Sequence, residues 1–86
     1  MGRYRVLIKP SAVREIEAIG QMVDRRRVVD RIQALSGNPR PHSCQKLAGL
    51  DLFRIRQGDF RIVYSIGDRD LVVLVVKVGH RREVYR

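Results

Sequence analysis

The segment Phe53–Tyr64, FRIRQGDFRIVY, together with VGHRREVY from Val78 to Tyr85, gathers the side chains of this chain best suited to gripping an anion. Phe53, Ile55, Ile62 and Tyr64 alternate with Arg54, Arg56, Arg61 and Val63, the period-two pattern of strands with one buried face. If Gly58-Asp59 forms a two-residue loop with glycine first, Arg56 falls opposite Arg61 and Arg54 opposite Val63. Like charges placed directly across a strand pair are destabilising, and a bound anion relieves that cost. Arginine offers a planar fork that holds phosphate through two hydrogen bonds, so the phosphate of a nucleic acid is the leading candidate.

Charge and length agree with that reading without deciding it. Lys and Arg number 18 against 9 Asp and Glu, a formal net charge of +9, and fifteen of the 18 are arginine. A basic surface of this kind fits a nucleic acid, but it also fits an acidic protein partner or plain solubility. Two Phe, three Tyr and no Trp leave little material for an extended base-stacking platform. At 86 residues the chain makes one small domain, 1–86, burying roughly 60–65% of its unfolded surface.

Cysteine usage and hydropathy narrow the setting. Cys44 is single, so no internal disulfide forms, and no Cys or His stands near it at zinc-ligand spacing; no metal or cofactor is expected. The opening MGRYRVLIKP alternates basic and apolar residues and shows no signal-peptide pattern, so a cytoplasmic protein is expected. The longest apolar run, Leu71–Val76, is far short of the roughly 20 residues a membrane helix needs. It reads instead as a central strand buried on both faces.

The elements that position the arginines follow from periodicity and punctuation. Tyr4, Val6 and Ile8 alternate with polar neighbours in a first strand that stops at Pro10. Ser11 is a cap for a helix whose apolar positions are Ala12, Ile16 and Ile19, ending at Gly20. Asp24 is a second cap, before the stripe Val28, Ile32 and Leu35 widened by Val29, which Ser36-Gly37-Asn38-Pro39 closes. Residues 38–45 form a loop, and three strands joined by tight turns at Gly58-Asp59 and Gly67-Asp68-Arg69-Asp70 complete the chain. The expected fold is α+β: an N-terminal strand, a two-helix hairpin, then antiparallel strands in a four-stranded sheet packed on the helices. The face with Phe53, Ile55, Ile62 and Tyr64 meets the helices, and the face with Arg54, Arg56 and Arg61 stays open.

With helical hairpin, NPRP, KLAG, FRIRQGDFRIVYSI, a valine-rich strand and VGHRREVY in that order, nearly the whole chain resembles the RelE branch of the RelE/ParE toxin superfamily. The segments RIRxGDxRxxY and GHRRExY carry the resemblance. It implies the toxin of a type II toxin–antitoxin system, a metal-independent endoribonuclease that enters the ribosomal A site and cuts mRNA, leaving 2′,3′-cyclic phosphate and 5′-hydroxyl ends. The implied partners are the ribosome, mRNA and a cognate antitoxin, acidic or partly disordered, whose complex with the toxin binds operator DNA; no membrane is involved. By the same resemblance Arg54, Arg56, Arg61, Arg81 and Tyr85 are the catalytic positions. Members of the branch often carry lysine where this chain has Arg54 and Arg56, and arginine essentially cannot lose its proton. His80, with an ordinary pKa near 6.5, is therefore the candidate acid/base. Lys46, Lys77 and Arg82 are candidate RNA contacts. Arg25-Arg26-Arg27 reads as the exposed start of a helix and His42 as plain surface. Two alternatives share the fold expectation: a poison of DNA gyrase, as in the ParE branch, and a non-catalytic nucleic-acid-binding or repressor partner.

Overall fold

The computed structural model describes residues 3–80. Strand β1 (Arg5–Ile8) leads into helices α1 (Pro10–Glu17) and α2 (Met22–Ala34), followed by β2 (Gln45–Lys46), β3 (Phe53–Gln57), β4 (Phe60–Gly67) and β5 (Val72–His80). The sheet has five strands in the order β1-β5-β4-β3-β2. The expected four are joined by the two-residue β2, whose Gln45 and Lys46 pair with Arg54 and Phe53. Strands β2 to β5 form the expected antiparallel meander. β1 instead pairs in parallel with β5, Arg5 with Val72 through Ile8 with Val75, because the helical hairpin carries the chain across the sheet before the meander returns.

Helix starts differ from expectation by two residues at α1 and three at α2, for local reasons. Pro10 occupies the first turn of α1, where its missing N–H and fixed φ cost nothing, so Lys9 is the cap and Ser11 lies inside the helix. α2 begins after Gln21, and Asp24 sits in its first turn, where a carboxylate complements the helix dipole. Arg25 has a different part from that expected of the basic run: its Nη2 donates to the Ile19 carbonyl at 2.9 Å, tying α2 to the α1–α2 turn. Arg26 and Arg27 are exposed.

The core lies between the helices and one sheet face. Ala12, Ile16 and Ile19 meet Val28, Ile32 and Leu35 over Ile55, Ile62, Tyr64, Val73, Val75 and Val78. β5 is central, as expected. Its burial is one-sided: Val73, Val75 and Val78 are buried, whereas Val72, Leu74 and Val76 on the other face are only partly covered. Leu71 belongs to the preceding turn and takes a positive φ of 56°.

A polar clamp holds the 38–44 loop, which has no regular structure of its own. Arg40 forks onto Asp68, Nη1 to Oδ1 at 3.0 Å and Nη2 to Oδ2 at 2.8 Å, and the Tyr4 hydroxyl donates to Oδ1 at 2.6 Å. The hydrogen bonds from Arg40 and then Tyr4 lower the Asp68 carboxyl from 3.8 to about 2. Because the folded-state value is depressed, this clamp stabilises the fold above pH 3.8 and its contribution fades as pH falls toward about 2. Thermal melts of the chain and of Asp68→Asn are expected to converge across that window and to differ above it. Parallel curves throughout would contradict the linkage.

Candidate nucleic-acid interface on the arginine face

The β3–β4 hairpin sets the geometry. Gly58 has φ of 60°, while Asp59 keeps an ordinary negative φ, as a two-residue turn with glycine first requires. The ladder pairs Phe53 with Tyr64, Arg54 with Val63, Ile55 with Ile62 and Arg56 with Arg61, the register read from the sequence. Successive residues alternate sides, so Arg54, Arg56 and Arg61 share the face turned away from the helices.

The three arginines differ in depth. Arg56 is exposed, and Arg54 is half-buried with Nη2 donating to Gln45 Oε1 on β2. Arg61 is only 7% exposed, a correction to the expectation that it lies open to solvent. The reason is topological: β4 is an interior strand, so Arg61 lies between Arg56 on β3 and Gly79 on β5, while its sheet-face neighbour Val63 is also buried. A guanidinium with a covered stem is held in fewer orientations than one on a free surface side chain.

His80 takes a different position from the one an acid/base role beside the arginines needs. It pairs with Phe60, which shares the helix-side face with Ile62, whereas Gly79 is the residue that pairs with Arg61. The imidazole meets the Phe60 ring edge-on, centroids 5.9 Å apart, and lines a cleft with Glu15, Ala18 and Ile19 beneath α1. It is thus across the sheet from Arg61. Lys77 is ion-paired to Glu15 at 3.0 Å, and Lys46, exposed on the edge strand, pairs with Phe53 and so lies on the side opposite Arg54. Arg81, Arg82 and Tyr85 lie outside the described residues.

Two features went unread in the sequence. Arg40 places its guanidinium 5.4 Å from the Phe53 ring centre, and Phe53 stacks on Tyr64 with centroids 6.0 Å apart, so the clamped loop supports the hairpin from the helix side. Glu15 reaches the end of β5. Both rest on contacts between separate elements, with Glu15 62 and 63 residues from Lys77 and Val78, and only the bracketing of Arg40 by Pro39 and Pro41 marks that residue as held in place.

A model of the family described as the ParE toxin of the type II toxin–antitoxin system, parDE, matches residues 6–85. The chain belongs to the RelE/ParE toxin superfamily. Among solved structures, the superfamily toxin from Pyrococcus horikoshii in the archaeal RelE–RelB complex is 30% identical, with a TM-score of 0.83 over 94% of this chain and 98% of that one. The isolated Escherichia coli RelE toxin is 30% identical, with a TM-score of 0.75 over 95% of this chain and 90% of that one. Toxin RelG of Mycobacterium tuberculosis is 38% identical over 42 residues, a match spanning 49% of this chain and 46% of that protein. This type II toxin therefore has the RelE fold, and its arginine hairpin is built on the middle of the shared sheet. Among the described residues no helix is long and apolar enough to cross a membrane.

Proposed function

We propose that this toxin is a metal-independent endoribonuclease that cleaves mRNA in the ribosomal A site and thereby stops translation. The observation that carries the reading is the cross-strand pair Arg56–Arg61, with Arg54 beside it, on the helix-free face of a RelE-like sheet. In this reaction the RNA 2′-hydroxyl gives up its proton to water as its oxygen attacks the adjacent phosphorus in line, and the bond to the departing 5′-oxygen breaks. The products are a 2′,3′-cyclic phosphate and, once that oxygen gains a proton, a 5′-hydroxyl. Arg61 neutralises the charge developing on the phosphoryl oxygens, and Arg54 and Arg56 hold the backbone bent for attack. Arg81 and Tyr85 join them in this reading, Arg81 on the phosphate and Tyr85 against a base, with Arg82 as a general electrostatic contact, while Lys46 lies on the helix side of the sheet, away from that face. With permanently charged arginines on the strands and His80 on the other face, alignment and charge stabilisation carry the rate. The ribosome places the reaction in the cytoplasm.

The partner in this reading is a cognate antitoxin, a short acidic chain complementary to the net charge of +9. The solved relatives from P. horikoshii and M. tuberculosis are RelE–RelB and RelBE2 toxin–antitoxin complexes, which supports it. Binding of operator DNA by the complex belongs to the same reading. The ParE name of the matching family model favours one alternative, a gyrase poison.

Purified toxin is expected to cut mRNA on programmed ribosomes and to spare free RNA, with new 5′ ends mapping within codons. Intact message together with stabilised gyrase–DNA breaks would replace the reading with the gyrase one. Intact message with neither effect would leave a non-catalytic binder.

A further inference from the structure

The end of β5 breaks the regular ladder, and the break decides what lies beside Arg61. From Gly67–Val72 to Tyr64–Val75 strands β4 and β5 pair with one offset, and from Val63–Lys77 to Phe60–His80 with another, leaving Val76 as an extra residue. Had the first offset continued, Arg61 would face Val78, and Lys77 would enter the helix-covered face opposite Ile62. The bulge instead sends Val78 into the core at 2% exposure and sets Gly79, which has no Cβ, beside Arg61. One extra residue exchanges the faces of everything beyond it, and bulges re-aim side chains in this way beside active sites.

The bulge falls where β1 has run out. The last contacts of β1 are Ile8 paired with Val75 and the Lys9 N–H donating to the Val75 carbonyl at 2.9 Å. Beyond that point α1 covers the outer edge of β5, through one side chain. Glu15 Oε1 accepts the Val78 N–H at 2.8 Å, and Oε2 accepts Lys77 Nζ at 3.0 Å. A single carboxylate thus satisfies a backbone donor that would otherwise lose its partner, and holds the lysine that the bulge turns out of the core.

We propose that Glu15 is a positioning residue for the phosphate-binding arginine face: by fixing Lys77 and Val78 it holds the end of β5 so that Gly79 stays against Arg61. It reaches the reaction only through the strand, since α1 lies on the other side of the sheet. The proposal rests on the reading of Arg61 as the phosphate-binding residue. Misplacement by about 1 Å is enough to cost on the order of 10²-fold in rate, so a loosened strand end is felt in turnover before it is felt in folding.

The test compares Glu15→Ala, Glu15→Gln and Lys77→Met in the full chain, at a temperature where all are folded. Ribosome-dependent cleavage by Glu15→Ala is expected to fall at least about tenfold in kcat, with KM within about twofold. Glu15→Gln keeps an acceptor for the Val78 N–H and is expected to recover most of that rate, and Lys77→Met to lose less than Glu15→Ala. Hydrogen exchange supplies a reading independent of activity: the Val78 and Gly79 amides are expected to exchange at least about tenfold faster in Glu15→Ala, with Ile62 unchanged. Wild-type kcat in Glu15→Ala, or unchanged exchange at Val78 and Gly79, would overturn the proposal. If the wild-type toxin itself cuts no message, the cleavage reading falls, while exchange still decides whether Glu15 fixes the strand end.

Discussion

Arg61→Met is expected to lower kcat for cleavage of ribosome-bound mRNA by about 10²–10³-fold while leaving the domain folded. The size follows from placement. Arg61 is the most buried of the three arginines and is flanked by Arg56 on β3 and Gly79 on β5, so its charge acts from a fixed position with little water to screen it. Methionine replaces the aliphatic stem and removes the charge, which separates chemistry from packing. Alanine is the poorer probe: it also empties the space the stem fills, with an expected further cost of about 1–3 kcal/mol in urea unfolding. Arg61→Lys keeps the charge but loses the two-pronged grip, and is expected to fall between wild type and Arg61→Met. Exposed Arg56 is expected to lose less when changed to methionine, mainly in KM. If Arg61→Met turns over message at the wild-type rate, the phosphate role of the hairpin is wrong, whatever Arg56 does.

The hairpin was legible in the sequence because everything that specifies it is local. Alternation chooses the buried face, Gly58-Asp59 fixes the loop, and together they determine the partner of every residue from Phe53 to Tyr64. The depth of Arg61 was not legible, since burial of a β4 side chain depends on the strands to either side, and β5 arrives from later in the chain. The β5 register was hidden for a related reason. In VVLVVKVGH the valines on both sides of the bulge look alike, and only Lys77, which belongs outside the core, marks that a period-two reading must slip by one. That slip is what moves His80 from the arginine face, where alternation alone allowed it, to the side of Phe60 and α1. The parallel pairing of β1 with β5 joins residues 67 apart, as in Arg5 with Val72, and has no local signature. The apolar stripes of the helices are legible from local periodicity, but their caps are not: Pro10 outweighs Ser11 because its ring is already set for the first turn.

The largest loss of stability is expected at Tyr64, where replacement by alanine removes about 3–5 kcal/mol, a large share of the 5–15 kcal/mol typical of a whole domain. Tyr64 is fully buried at the centre of β4, stacks on Phe53, and donates its hydroxyl to the Pro39 carbonyl at 2.7 Å. Its ring supports the hairpin that displays the arginines, and its hydroxyl anchors the loop that carries Arg40. Tyr64→Phe separates these two parts. The ring and its stacking remain, the Pro39 carbonyl loses its donor, and urea unfolding is expected to register about 1–2 kcal/mol. The same variant has a signature in alkali. Burial pushes the Tyr64 phenol well above its ordinary 10.0, because the site accepts the neutral hydroxyl and resists the phenolate. In the unfolded chain the group ionises near pH 10, while in the fold it stays protonated to higher pH. Its contribution to stability is therefore complete below pH 10 and declines as pH rises above that value. Tyr64→Phe cannot ionise there, so the stability gap between the two proteins is expected to narrow with rising pH above 10. A gap that stays constant into strong alkali would mean that the phenol ionises as readily in the fold as in the unfolded chain, and would remove Tyr64 as the buried post of the hairpin.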